Sequence, residues 1–183
     1  MLKNIVVYFI CVFIYICTFN IMTMAEVQGI WAHPQYIKTY IQPNHPRTIM
    51  MKHAFAEWSR LTKDKVIFRY VDSTQTSQLD VFFVNKISKE KSNSDKSIGL
   101  TETITLSNGK IRHATIWIAD KTQDDKTLNK DEVYTTMLHE IGHSIGLNHS
   151  KDPKSAMYPG VNVIQEIAKS DLESLYQMYG WKK

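Results

Sequence analysis

The strongest constraint on how this chain can fold is one short segment, HEIGHSIGLNH at residues 139–149. His139 and His143 are four residues apart, so on a helix they project from one face and can reach one ion. Zn²⁺ accepts neutral imidazole and, in catalytic sites, takes three protein ligands while one position stays open for water. The third ligand must therefore come from outside these two helical turns.

Gly146 provides a way for that third ligand to reach the metal. A glycine just beyond a helix with apolar periodicity adopts the left-handed conformation that ends the helix and turns the chain sharply. His149 follows three residues later and is then expected to return towards the ion. We therefore predict one zinc ion held by His139, His143 and His149. A larger β-branched residue at 146 should misplace His149 without touching the metal.

Glu140 is the predicted general base. It directly follows His139, so it points away from the histidine face yet stays beside the ion. A carboxylate there can take a proton from a zinc-activated water and later deliver it to the leaving amine. Zinc would also polarise the substrate carbonyl. The alternative, a chance HExxH match, is disfavoured because the helix, the glycine and the third histidine occur together.

The longer run HEIGHSIGLNHSKDPKSAMYPG, residues 139–160, resembles the metzincin zinc peptidases and most closely their matrixin branch. The metzincin pattern is HExxHxxGxxH followed by a methionine turn. The resemblance implies that Met157 lies in that turn beneath the zinc, as a hydrophobic floor and not as a ligand. It also implies that Asp171 braces the turn. The alternative for Asp171 is a carboxylate that the dipole of the last helix favours.

Two helices are predicted before the last one. Apolar residues recur at three- and four-residue spacing after Pro46, which we place in the first turn of a helix. The apolar face of that helix is predicted to contain Ile49, Met50, His53, Ala54, Trp58 and Leu61. Asn129 and Glu132 resemble a capping box at the start of the helix that carries His139. A last helix is predicted over residues 170–179.

Runs rich in β-branched and aromatic residues predict strands at 36–42, 66–71, 79–84, 98–106 and 111–119. Residues 26–46 are otherwise predicted to be irregular, and Asn108-Gly109 predicts a hairpin. The order of elements predicts a single α+β domain. The resemblance implies a metzincin-like catalytic domain: a twisted, mostly parallel sheet with an antiparallel edge strand, an active-site helix and a C-terminal helix.

The resemblance also implies how substrate would bind. An extended peptide would add to the edge strand of the sheet, for which Ile98–Thr101 is the candidate. Residues 159–163 would form the opposite wall of the cleft, where Tyr158 and Val161 either line a pocket or belong to the core.

Several matrixin features have no counterpart in this sequence. The family's zymogens hold a propeptide cysteine on the zinc, whereas the predicted mature chain has no cysteine. Only His113 and scattered acids occupy the stretch where the family binds a structural zinc, so we expect that site to be missing. For Asp120, Asp124 and Asp125, a solvated loop is favoured over a calcium site.

The N-terminal region predicts export. An apolar run at residues 5–19 follows Lys3 and precedes Thr23-Met24-Ala25, a small-x-small site. This pattern predicts a secretory signal peptide at 1–25 and a catalytic domain at 26–183. The alternative is an uncleaved membrane anchor, because residues 5–22 just reach spanning length.

These observations predict a secreted, extracellular or periplasmic, monomeric zinc endopeptidase that acts on extracellular proteins or peptides. The formal net charge of +4 is too mild to indicate a nucleic-acid partner. Two alternatives stay open: a membrane-tethered form of the enzyme, if residues 1–25 are not removed, and a catalytically idle zinc-containing binding protein. The intact Glu140 argues against the second.

Overall fold

The computed structural model describes residues 29–88, 97–159 and 166–182. The helices of these ranges are α1 (Thr48–Leu61), α2 (Lys130–Ser144) and α3 (Lys169–Tyr179). Their strands are β1 (Ile30–Trp31), β2 (Ile37–Ile41), β3 (Phe68–Val71), β4 (Leu79–Val84), β5 (Gly99–Thr105) and β6 (Lys110–Ala119).

The strands form one sheet in the order β1-β6-β4-β2-β3, with β5 paired to β6. All neighbours are parallel except β5 and β6, which are antiparallel. Ile116 of β6 pairs with Val81 on one side and with Thr101 on the other, so β5 lies on the side of β6 away from β4. This arrangement confirms the predicted α+β class and the mostly parallel sheet with an antiparallel edge strand. The hairpin at Asn108-Gly109 is also confirmed, with Gly109 at φ 75°.

The first helix forms where the sequence predicts it, but its buried face was partly mispredicted. Its buried residues are Met51, Ala54, Phe55 and Trp58. Ile49 is 70% exposed and His53 is also exposed, because the inward stripe starts at position 51 and these two positions lie off it. The helix begins at Thr48 with Arg47 as N-cap, so Pro46 precedes the helix and is not in its first turn.

Strand β1 was not predicted, since residues 26–35 were expected to be irregular. Its contacts are distant in sequence. The Trp31 indole Nε1 donates to Ser144 O at 2.8 Å, and the Trp31 backbone N–H donates to the Tyr179 hydroxyl at 3.1 Å. The same hydroxyl donates to Ile145 O at 3.0 Å. Trp31 and Tyr179 thus provide partners for carbonyls at the C-terminal end of α2, which helical hydrogen bonds leave unpaired.

Helix α2 is held at its N-terminus and along its length. The Asn129 side chain accepts from Glu132 N and the Glu132 carboxylate accepts from Asn129 N, each at 2.9 Å, which confirms the predicted capping box. Further along, the buried Trp58 of α1 donates its indole N–H to Leu138 O at 3.0 Å. These contacts fix the helix that carries the predicted metal ligands.

Among the described residues, no helix is both long and apolar enough to cross a membrane. The predicted signal peptide at 1–25 and residues 160–163 of the predicted cleft wall lie outside the described residues.

The capping box predicts the effect of Asn129→Ala. The free energy of unfolding should fall by about 1 kcal/mol, because one N-terminal amide of α2 loses its acceptor. The control is Lys130→Ala, which also introduces alanine at an exposed position at the start of α2. It should leave the free energy of unfolding nearly unchanged. Urea denaturation of both variants checks this, and equal midpoints for Asn129→Ala and wild type would contradict it.

Candidate metal centre

The structure brings the three predicted histidines together. The ring centroids of His139 and His143 are 4.6 Å apart, and the His149 ring lies 5.2 Å from the first and 4.8 Å from the second. One nitrogen from each ring can be chosen so that all three lie within 4.8 Å of one another. Among the described residues, this is the only group of three or more histidine, cysteine, aspartate or glutamate side chains so arranged.

The turn after α2 brings His149 back to the other two histidines. Gly146 has φ 105°, which L side chains rarely adopt. Its N–H donates to His143 O at 2.9 Å, and Leu147 N–H donates to Gly142 O at 3.0 Å. These two bonds form a Schellman motif, which satisfies the last helical carbonyls and reverses the chain. Gly146 therefore follows the end of α2 in a backbone conformation with positive φ.

Backbone carbonyls set the orientation of two of the imidazole rings. His139 Nδ1 lies 2.7 Å from Ala156 O, and His143 Nδ1 lies 2.8 Å from Leu147 O. A carbonyl oxygen can only accept, so we assign the proton of each ring to Nδ1. Each Nε2 then carries a free lone pair, as a metal ligand requires.

The two Nε2 atoms lie 3.0 Å from each other. Two lone pairs at this distance repel unless a cation lies between them. Burial lowers the pKa of His143 to about 3, with the neighbouring His139 adding to the effect, and burial also lowers the pKa of His139 and His149. A proton is therefore a poor cation for this position. Three neutral imidazole nitrogens fit a zinc ion well.

The loop that contains Ser155 and Ala156 contacts the histidine cluster, and Asp171 of α3 holds this loop in place. The Asp171 carboxylate accepts hydrogen bonds from the Ser155 hydroxyl, from Ala156 N at 3.0 Å and from Ala168 N at 3.1 Å. Ala156 in turn offers the carbonyl that orients His139. The implied bracing role of Asp171 is confirmed. Asp171 also lies in the first turn of α3, where the helix dipole favours a carboxylate, so the structure is compatible with both interpretations of this residue.

Met157 lies in the turn between Ser155 and Tyr158, as the resemblance implied. It is 1% exposed, and its sulfur packs so closely on Gly142 that a side chain at 142 would collide with it. Ser150 N–H donates to Met157 O at 2.8 Å, which ties this turn to the residue after His149. Met157 therefore packs against the segment of α2 between the two helical histidines.

Glu140 is buried beside the cluster, with 6% of its surface exposed. The Thr101 hydroxyl donates to Glu140 Oε2 at 2.6 Å. Burial raises the pKa of Glu140 to about 7, and the hydrogen bond from Thr101 opposes that rise. The sequence placed Thr101 on the edge strand but did not identify it as a partner of Glu140. The available signal was the strand alternation that puts Gly99 and Thr101 on one face.

Two of the three acidic residues considered for calcium, Asp120 and Asp125, have basic side chains close to them. Asp120 lies 2.9 Å from Arg47 Nη1 and 3.3 Å from His45 Nε2, while Asp125 lies 2.8 Å from Lys86 Nζ. These ion pairs give no support to a calcium site.

His113 lies on β6, and its Nε2 is 3.1 Å from the Asp80 carboxylate. Tyr158 is half-buried, and Val161 lies outside the described residues.

Comparison with known proteins agrees with this geometry. A sequence model of the matrixin family matches residues 31–180. Macrophage metalloelastase of Rattus norvegicus is 34% identical over 59 residues, which are 30% of this chain and 13% of that protein. Metalloendoproteinase 1-MMP of Arabidopsis thaliana is 25% identical over 147 residues, 77% of this chain and 40% of that protein. Metalloendoproteinase 1 of Glycine max is 26% identical over 135 residues, which are 69% of this chain and 43% of that protein. The chain spans less than half the length of these curated relatives.

The Gly146 turn predicts an unequal effect of two glycine substitutions. In Gly146→Ala the new Cβ would lie 2.5 Å from Gly29 O in addition to the unfavourable φ, so unfolding free energy should fall by more than about 2 kcal/mol. Gly180→Ala is the matched control, because Gly180 has φ 68° but open space around it, and should cost only about 1–2 kcal/mol. Calorimetry of both variants checks this. Equal losses would mean that the contact with Gly29 is unimportant.

The cluster predicts that His149→Ala weakens zinc binding more than about 100-fold, since loss of even an outer-shell partner usually costs 10–100-fold. His33→Ala, which removes an exposed histidine outside the cluster, is the control. Competition with a chelator, followed by elemental analysis, measures both affinities. Stoichiometric zinc in His149→Ala at wild-type affinity would rule out the three-histidine site.

Proposed function

The chain belongs to the matrixin family, and on that basis we propose that it is a secreted zinc-dependent endopeptidase that hydrolyses peptide bonds in extracellular proteins or peptides. The observation that carries this proposal is the convergence of His139, His143 and His149, together with the buried Glu140 that follows His139 on α2. The names of the matched relatives, a metalloelastase and two metalloendoproteinases, support the same class of activity.

The three histidines would hold the zinc ion. Bound there, zinc would polarise the substrate carbonyl and lower the pKa of a water molecule. The protein's own contribution is to keep the imidazoles neutral by burial and to orient two of them through Ala156 O and Leu147 O. These hydrogen bonds hold the donor nitrogens in place before any ligand arrives, which reduces the cost of organising the site.

Glu140 would move the proton in this reaction. Because Glu140 directly follows His139 on α2, its carboxylate would lie near the attacking water, where it would accept a proton and later return it to the leaving amine. The hydrogen bond from Thr101 holds one carboxylate oxygen, Oε2. The other oxygen, Oε1, would then be the one that exchanges the proton.

Strand β5 would bind the substrate backbone. It pairs with β6 on one side, and no other described strand pairs with it. An extended peptide could therefore add to its free edge through main-chain hydrogen bonds. Gly99 and Thr101 of this strand also contact the Glu140 side chain, so the peptide would lie close to the general base.

Secretion is part of the proposal and rests on residues 1–25. The apolar run behind Lys3 and the small residues Thr23 and Ala25 support cleavage by a signal peptidase. N-terminal sequencing of the exported protein tests this: a chain that begins at Glu26 is expected. A retained N-terminal segment would indicate the membrane-tethered form instead.

The proposed base predicts the behaviour of Glu140→Ala. Its kcat on a fluorogenic peptide should fall by about 10²–10⁴-fold, the usual contribution of a general base, while zinc content and thermal stability stay near wild type. Glu173→Ala, a half-exposed carboxylate on α3, is the control and should keep full activity. A chelator should abolish wild-type cleavage, and added zinc should restore it.

Two outcomes would contradict the proposed function. Near-normal cleavage by Glu140→Ala would remove Glu140 from the catalytic role. A zinc-loaded wild-type protein that binds peptides but cleaves none, across a panel of unfolded protein substrates, would favour an idle binding protein.

A further inference from the structure

We propose that Thr101 is a positioning residue for Glu140, and that Gly99 makes this role sterically feasible. On this view the edge strand β5 holds the carboxylate of the general base through Oε2, and the absence of a side chain at position 99 leaves room for Oε1. The inference rests on the proposed function, in which Glu140 transfers the proton.

The hydrogen bond between these side chains is short and directed. Thr101 Oγ1 lies 2.6 Å from Glu140 Oε2 and 3.0 Å from the Glu140 backbone O. A hydroxyl has one hydrogen to donate, and a charged carboxylate at the shorter distance is the stronger acceptor. The carboxylate oxygen therefore receives the main bond.

The hydroxyl is itself held by the sheet. Thr101 pairs with Ile116 of β6, so its backbone position is set by the antiparallel ladder and not by α2. Its β-branched side chain has few accessible χ1 rotamers. A rigid donor on one element therefore restrains a flexible glutamate side chain on another, which would otherwise sample several rotamers.

Gly99 approaches the second carboxylate oxygen. It lies two residues before Thr101 on the same face of β5. A Cβ at this position would lie 2.5 Å from Glu140 Oε1 and 2.5 Å from Thr136 Cγ2, distances that real Cβ atoms do not show. Any side chain at 99 would therefore displace either the carboxylate or the strand.

The two contacts couple substrate binding to the position of the base. The proposed peptide-binding strand and the Glu140 carboxylate move together, because Thr101 joins them directly. A misplacement of about 1 Å in a reacting group can cost 10²-fold in rate. Loss of the Thr101 hydroxyl should therefore lower kcat more than it raises KM.

The test compares Thr101→Val with Thr101→Ser in the zinc-loaded full chain. Valine keeps the shape of threonine and removes the hydroxyl, so kcat on a fluorogenic peptide should fall by about 10–100-fold while KM changes by less than about threefold. Serine keeps the donor and should restore kcat to within about threefold of wild type. Zinc content should equal that of wild type in both, because the hydroxyl contacts none of the three histidines in the hydrogen bonds described.

Thr74→Val is the matched control. Thr74 is an exposed residue between β3 and β4, and β3 lies at the edge of the sheet opposite β5. The substitution is chemically identical but lies outside β5 and the histidine cluster, so kcat should stay near wild type. Gly99→Ala is an independent variant that perturbs the carboxylate through Oε1, and it should lower kcat with zinc retained even if Thr101→Val folds poorly.

The outcomes separate the two proposals. An active wild type whose Thr101→Val and Gly99→Ala variants both keep full kcat overturns the positioning role alone. The same conclusion follows if Thr101→Ser is as slow as Thr101→Val, or if Thr74→Val loses as much activity. A wild type without chelator-sensitive cleavage overturns the proposed function and this inference with it.

Discussion

The hydrogen bonds from the histidine rings to backbone carbonyls are the interaction on which the rest of the site depends. Ala156 O and Leu147 O each accept from an Nδ1, which leaves the Nε2 lone pairs of His139 and His143 directed at one small volume. Such a convergence is unfavourable without a cation, so the fold holds an arrangement that a metal would stabilise. Two further features of the site, the turn at Gly146 and the Asp171 carboxylate, place those two carbonyls and the third histidine.

Each carbonyl is positioned by a different part of the chain. Leu147 belongs to the Schellman turn at Gly146, so the same reversal that orients His143 also returns His149 to the cluster. Ala156 is held by the buried Asp171 of α3, whose carboxylate accepts from its N–H. The C-terminal helix therefore supports the proposed ligand His139 of α2, which it does not contact in any hydrogen bond described. Substitutions in α3 are thus expected to affect metal binding from a distance.

The site also requires that α2 lie very close to the Met157 turn and to β5, and glycine residues permit this close approach. Gly142 lets Met157 pack directly on α2, and Gly99 lets β5 reach the Glu140 carboxylate. The strand proposed to bind substrate and the proposed base are consequently in contact. In a matrixin of this kind the geometry of the base depends on the sheet edge as well as on the helix that carries it.

The sequence by itself determined the local parts of this protein. The spacing of His139, Glu140 and His143, the helix-ending Gly146, the capping box at Asn129 and strand β4 were all readable because neighbours within a few residues set their conformation. The burial of Ile49 and His53 was mispredicted and β1 was missed. Only the tertiary structure decided those points, and only it revealed the pair Thr101–Glu140, separated by 39 residues. Such contacts depend on how a helix packs against a strand or a loop, and no periodicity along the chain records that packing.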